Sequence, residues 1–522
     1  MTHHRSSLSR ALLLASVAII AGCTSGPDYK QPDKPKEQGY TPENLVPQTA
    51  AAPGAEGGAA QTFTEGRDIP GDWWTLFRSQ ELSALVGEAL RANPDLDAAQ
   101  AALRQANETL YAQQAGLFPS LTANGSGTQA KSNGAAFGGS GLGSSQPVSF
   151  VYGVTSASLN VAYSPDIFGG VLRQVESQVA QVEVQRFALE ATYLTLSSNV
   201  VVAAVNLASL RGQIAATEQV IRLQTDAINL VQTQFNLGGA SQADVLSQQA
   251  NLRATQALLP PLQKQLAIQR NQLMTLLGRP PTDDAGQGLQ LASLHLPEEL
   301  PLSLPSQLVE QRPDVRSAEA QLRVASANIG VAVAAQLPQF NITGALGYTS
   351  GGLASLLVPG SQIWSIGLSI AQTLFDAGKL DHTKKAAVAA YDQAAARYRS
   401  TVLSAFQDVA NALRSVQADA EGLRAAVAAE QTAAASLNLV QQQYQLGAVN
   451  YLLLLNAQQT YQNAAINRVK AQAIRYSDTA ALFQALGGGW WNRADIKPES
   501  QGKPGVFNLP PVDEVHLPRA GH

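Results

Sequence analysis

The chain is written twice, so whatever it folds into must hold two copies of one unit. Asn93-Pro94-Asp95 returns as Arg312-Pro313-Asp314, and Phe118-Pro119 as Leu337-Pro338, both 219 residues later. Phe168-Gly169-Gly170 returns as Ala377-Gly378-Lys379, Gln234 to Gly238 as Gln443 to Gly447, and Leu277-Gly278 as Leu486-Gly487, all 209 residues later. The change of offset places one ten-residue difference between Pro119 and Phe168, inside a single loop. Self-similarity at a fixed spacing marks a repeated structural unit.

Each unit reads as helix, β-hairpin, very long helix, turn, helix. The first helix is expected from Asp95 to Pro119 and its twin from Asp314 to Pro338, since proline ends a helix and restricts the residue before it. The hairpin of the second unit is the clearer one. Phe340, Ile342, Leu346 and Tyr348 alternate with Asn341, Thr343, Ala345 and Gly347 over Gln339 to Thr349, and a second alternating run covers Ile363 to Leu374. One apolar and one small, polar face at period two is the pattern of a membrane barrel strand. The first-unit strands, Leu121 to Thr128 and Phe150 to Tyr163, alternate less cleanly, and a Gly/Ser-rich loop, Gln129 to Pro147, joins them. A soluble sandwich edge would show similar strands, but it would leave apolar faces in water. Four strands cannot close a barrel, whereas three chains would supply about twelve.

No proline interrupts Gly170 to Leu237 or Lys379 to Leu446, each about 68 residues and ~100 Å long as a helix. Tyr193, Leu196, Val200, Ala203, Leu207, Leu210, Ile214, Thr217, Ile221, Gln224, Ile228, Val231 and Phe235 advance by threes and fours. In the second unit Val402, Val409, Val416, Leu423, Leu437 and Tyr444 keep one heptad row and Phe406, Leu413, Ala420, Val427 and Ala434 another. A seven-residue repeat held this long imposes a left-handed supercoil. Abundant alanine lets each helix touch two neighbours and argues against a simple coiled-coil dimer. The shorter helices, about 23 residues before Leu117 and about 37 from Ser241 to Leu277, would stack to match each long one. The expected fold is mainly α with two transmembrane β-hairpins: a trimeric 12-stranded β-barrel continuous with a 12-helix coiled-coil α-barrel.

Composition narrows the function. Charged residues make up 14% of the 522, against roughly 25% in soluble domains. A net charge of −4 without a basic stripe points away from nucleic acid. The sole cysteine, Cys23, rules out an internal disulfide and a cysteine metal cluster, and the six histidines show no ligand spacing beyond the extreme N-terminus. No metal or cofactor is expected. Nor is an enzyme: no Gly-x-Ser-x-Gly elbow, phosphate loop or convergent acid–base set stands out. Basic residues, the short apolar run Ala11 to Ala21 and Ile20-Ala21-Gly22-Cys23 form a lipoprotein box, so residues 1–22 are expected to be a signal peptide and Cys23 the lipidated N-terminus. Thr24 follows it, not the aspartate associated with inner-membrane retention. Beyond the leader no apolar run was found that reaches the roughly 18 residues of a membrane helix.

Gly26-Pro27-Asp28-Tyr29-Lys30-Gln31-Pro32, Asp72-Trp73-Trp74, Asn93-Pro94-Asp95-Leu96, Pro165 to Gly170, Leu374 to Lys379 and Leu486 to Trp490 together resemble the TolC-like outer membrane factor family, in its outer-membrane efflux lipoprotein (NodT-type) branch. The resemblance covers nearly all of residues 23–490. It divides the chain into a tether (23–71), a first repeat (72–280), a linker (281–305), a second repeat (306–490) and a tail (491–522). It implies a homotrimeric exit duct in the outer membrane of a Gram-negative bacterium, held by lipid and extending into the periplasm. Its implied partners are a periplasmic membrane-fusion adaptor and an inner-membrane pump of the resistance-nodulation-division type. Adaptors of such proteins dock on the hairpin tips, here Leu237, Gly238, Gly239, Ala240 and Ser241, and Leu446, Gly447, Ala448, Val449 and Asn450. Similar proteins carry a pore-facing leucine, an aspartate and an arginine after the second tip. This sequence has Leu452, Asn456 and Gln459, so the leucine is kept and the charged pair is not. Asp244 is the remaining carboxylate near the mouth, either a gate residue or an ordinary helix-start residue. A non-porous outer-membrane tether is the alternative function.

Overall fold

A computed structural model describes residues 25–37, 39–43, 45–133 and 149–493. Cys23 and the leader, the middle of the first hairpin loop and the tail from 494 lie outside the described residues. The first unit runs α1 (Gln80–Ala92), α2 (Pro94–Ala115), β2 (Ser120–Asn133), β3 (Ser149–Tyr163), α3 (Gly170–Asn236), α4 (Gln242–Gln256) and α5 (Leu259–Leu276). The second runs α6 (Pro305–Gln311), α7 (Pro313–Ala334), β5 (Gln339–Ser350), β6 (Gln362–Ala371), α8 (Lys379–Gln445) and α9 (Tyr451–Ala485). Two short strands, β1 (Thr62–Glu65) and β4 (Glu299–Leu302), pair in parallel between them.

Both long helices have 67 residues and share one construction at each end. Gly169 and Gly378 cap the starts at φ 72° and 85°, a left-handed turn that glycine adopts without penalty. Beside them Asp166 accepts from the Leu172 amide at 2.7 Å and Asp376 from the Leu380 amide at 2.9 Å. These carboxylates satisfy amides that the first helical turn leaves without partners.

The packing makes a strip four elements wide. In the sheet the order is β2-β3-β5-β6, antiparallel throughout. In the helical half nearer the sheet the order is α2-α3-α7-α8, and further away α4/α5-α3-α9-α8. Among the described residues the strip has, at every level, two edges without a neighbouring strand or long helix.

Between the halves lies the largest core cluster. Trp73 stacks on Phe483 at 5.4 Å between ring centroids, and Phe77, Leu82, Val86, Leu207, Val409, Tyr476 and Leu486 close around them. The stretch expected as a plain linker takes part: β4 pairs with β1, and Leu289, Leu294 and Leu300 are buried. The expected tether is likewise packed down. The Ser25 amide donates to the Phe168 carbonyl at 3.1 Å, buried Arg173 bonds Asp28 and the Ser25 carbonyl, and Tyr29 donates to Glu319.

Four expectations need correction. The helix expected over Ser241 to Leu277 is two helices, because Pro260 and Pro261 tolerate only the first turn of a new one and α4 stops at Gln256. Strand β6 ends at Ala371, not Leu374: Leu374 and Phe375 belong to the turn that Asp376 organises. The first strand of the first hairpin extends further into the Gly/Ser-rich loop, β2 reaching Asn133. Finally, α3 does contain a window long and apolar enough by composition to cross a membrane. Most of that window is buried within the fold, where Leu196 to Ala208 feed the central core.

Candidate functional site at the hairpin tips

The end of the strip furthest from the sheet consists of two helical hairpins, α3–α4 and α8–α9. Their turns are the same motif. Gly238 and Gly447 sit at φ 78° and 72°, and no atom would crowd a side chain at either, so backbone conformation alone selects glycine. The Gly239 amide donates to the Gln234 carbonyl at 2.8 Å and the Ala448 amide to the Gln443 carbonyl at 2.9 Å. The Gly238 and Gly447 amides donate to Phe235 and Tyr444, completing a Schellman closure in each. Leu237 and Leu446 hold equivalent places and stand 82% and 84% exposed. Ala240 and Val449 are half-buried, while Ser241 and Asn450 cap the return helices through the amides of Asp244 and Leu453.

Asp244 belongs to the cap. Its Oδ2 accepts from the Ser241 amide at 2.9 Å and the Ser241 hydroxyl at 2.8 Å, closing a capping box. The carboxylate therefore caps its own helix, and its charge also acts on Tyr444 and Tyr451. Burial first, and Asp244 second, hold the Tyr444 phenol above its ordinary range; Tyr451 is raised by burial, then by Tyr444 and Asp244.

Leu452, Asn456 and Gln459 share one exposed face of α9, Leu452 being 60% exposed. The opposite face carries Tyr451, Leu454 and Ala457 into a tip core with Val231, Val245, Leu437, Val440 and Tyr444. In the first hairpin the positions matching Leu452, Asn456 and Gln459 are Ala243, Ser247 and Ala250. Only the second hairpin therefore carries a bulky residue there.

Sequence reasoning missed the amides inside this bundle. Tyr451 Oη donates to Gln248 Oε1 at 2.5 Å, and Gln248 Nε2 reaches the Gln224 carbonyl at 3.2 Å and Gln458 Oε1 at 3.4 Å. Thr255 Oγ1 points to Gln462 Oε1 at 3.4 Å. These contacts tie the two hairpins together across their shared seam. Gln224 is fully buried, yet neither atom of its side-chain amide has a hydrogen-bond partner. Between Ile214 and Ile228 in the heptad row of α3 it is Thr217 and Gln224 that are buried, while Ile214, Ile221 and Ile228 are half-exposed. Glutamine at a heptad position was the available signal.

At the other end the sheet has one apolar and one small, polar face. Leu121, Val161, Leu159, Ile342, Leu346, Trp364, Ile366, Leu368 and Ile370 fall on the first by register. Trp364 and Ile366 are 74% and 78% exposed. An apolar patch of this extent, on an unpaired edge strand, suits lipid and a further strand and not water. Among the described residues no cluster of histidine, cysteine or acidic side chains could hold a metal.

The chain's family model is "Outer membrane efflux protein", matched over residues 85–279 and 304–488. TtgC, the toluene efflux pump outer membrane protein of Pseudomonas putida, is 28% identical over 494 residues, covering 93% of this chain and 97% of its own length. SilC, a probable outer membrane lipoprotein of Salmonella typhimurium, is 27% identical over 92% of this chain and 99% of its own. Among solved structures, the outer-membrane channel OprN superposes with a TM-score of 0.78 at 28% identity, over 90% of this chain and all of OprN. The strip of hairpins and long helices thus has a known architecture, and the chain belongs to the outer membrane efflux protein family, whose members are outer-membrane channels of efflux systems.

Proposed function

We propose that three copies of the strip close edge to edge into one passive exit duct. The observation that carries this reading is the pair of free edges at every level: β2 and β6 in the sheet, α2 and α8 in the near helices, α4/α5 and α8 in the far ones. Three strips four strands and four helices wide give about twelve of each around a common axis, enough strands for a closed barrel with an aqueous interior. Closure pairs the edges of β2 and β6 and turns their apolar face to lipid.

In this reading Cys23 is the lipidated anchor, in keeping with the lipoprotein SilC, and the strip reaches into the periplasm from the outer membrane. The exposed tips from Leu237 to Ser241 and Leu446 to Asn450 receive a membrane-fusion adaptor, which joins the duct to an inner-membrane pump of the resistance-nodulation-division type. The face bearing Leu452, Asn456 and Gln459 turns to the axis. Three copies of Leu452 form the resting constriction, Asn456 adds hydrogen bonds, and Asp244 supports the turn.

Single-channel recording in planar bilayers tests this. The wild-type chain should conduct in small steps, and Leu452→Ala, which removes an exposed side chain at little cost in stability, should raise the conductance several-fold. Silence from both proteins would instead favour a non-porous tether.

A further inference from the structure

Charge is distributed along this strip in an unusual way. Between Thr109 and Pro165 the only Asp, Glu, Lys, Arg or His is Lys131, and from Val324 to Phe375 there is none. Both hairpins of the sheet lie inside these two stretches. The tips repeat the pattern: Ala227 to Leu252 contains Asp244 alone, and Gln431 to Asn467 contains no such residue. Charged side chains gather in the middle of the strip, many in opposite-sign pairs such as Glu183–Arg323 and Glu430–Arg468.

Strand register sharpens this. One cross-strand row reads Thr122, Asn160, Ala345, Ser365, and its neighbours read Ser120, Ala162, Thr343, Gly367 and Asn124, Ser158, Gly347, Ile363. Lys131 falls on the other face, in step with Leu121. The small, polar face therefore has no Asp, Glu, Lys, Arg or His among the described residues. On α9 the exposed row Leu452, Asn456, Gln459, Asn463 is equally neutral; the one charge of the tips, Asp244, lies on the other hairpin, in its capping box.

Ion selectivity in channels comes from rings of charged side chains at narrow points. A charge further from the axis than about 8 Å is largely screened at physiological salt. Resting on the duct reading, we propose that this conduit has no charge filter in its barrel or along the α9 face at its mouth. The α9 face at the mouth offers leucine and primary amides, and the one carboxylate of the tips, Asp244, sits on the other hairpin in the cap of α4.

The test is the reversal potential of the full-length protein in a planar bilayer under a potassium chloride gradient, with hexamminecobalt then added on the tip side. The expected result is a cation-to-anion permeability ratio near unity and no block by the trivalent cation. Asn456→Asp should create both cation selectivity and block, since three copies would place a carboxylate ring at the constriction. A wild-type channel with strong selectivity of either sign, or one blocked by the trivalent cation, overturns the proposal. If neither wild type nor Leu452→Ala conducts at all, the duct reading itself fails.

Discussion

The two hairpins at the far end of the strip share a turn and differ in nearly everything behind it. The return helix of the first is jointed at Ala257-Leu258, ahead of Pro260 and Pro261; that of the second is a single 35-residue rod. At the tip, Phe235 is exposed, whereas its counterpart Tyr444 is buried edge-on against Tyr451 at 6.2 Å. The second hairpin has Leu452 where the first has Ala243, and a carboxyl pair, Asp419 and Asp478, where the first has Leu210 and Gln269. Duplication supplied two equivalent rods. The second is a stiff shaft with a bulky exposed face at Leu452, while the first is jointed and carries small residues there.

The most severe way to probe this difference is to hollow the second tip. Leu454→Ala removes a side chain 1% exposed and should cost about 2–4 kcal/mol, read as lost hydrogen-exchange protection along α9. The equivalent Val245→Ala deletes less and should cost about 1–2 kcal/mol. Equal costs would remove the distinction between the stiff hairpin and the jointed one.

The carboxyl pair should give the next largest effect. Burial first, then the facing Asp478, pushes Asp419 up to about 7, with Arg475 opposing them. Folded protein therefore holds a proton that unfolded chain releases between roughly pH 4 and 7, so stability falls as pH rises through that window. Asp419→Asn should remove this penalty, about 1–2 kcal/mol after allowance for its partial exposure. The gain should appear in thermal unfolding at pH 8 and vanish near pH 4; a gain independent of pH would contradict the shared proton.

Tyr451→Phe leaves the packing and deletes the hydrogen bond to Gln248, at about 1 kcal/mol. It should loosen the seam between hairpins without altering the first turn. The smallest effect should come from the glycines. Gly238→Ala and Gly447→Ala each force a left-handed alanine into open space and should cost about 1 kcal/mol alike. A clear inequality between them would show that the shared turn is not equivalent in its surroundings.

How far the sequence could be read follows from where each instruction is kept. The ends of the long helices rest on local chemistry: glycines 169, 238, 378 and 447, and the aspartates before each start. Such signals need no partner to be legible. The mostly helical, channel-type architecture followed from the doubling and the heptad rows. The break in the first return helix was also local, in Pro260-Pro261, but was overshadowed by the continuous pattern of its twin. The buried amides were not legible, because Gln224, Gln248 and Gln458 look like surface glutamines until three helices converge on them. Asp244 could be read either as a gate or as a helix-start residue, and only its two bonds to Ser241 are visible in one chain. Asp419 and Asp478 lie far apart in sequence and meet only through the α8–α9 packing.

Closure by three copies is the claim on which the conduit, its mouth and its neutral lining all depend. Native mass spectrometry of the full-length protein released from detergent measures it most directly. The account predicts one species containing three chains, with dissociation accompanied by exposure of the β2 and β6 edges. A stable monomer or dimer that retains the folded sheet would contradict it.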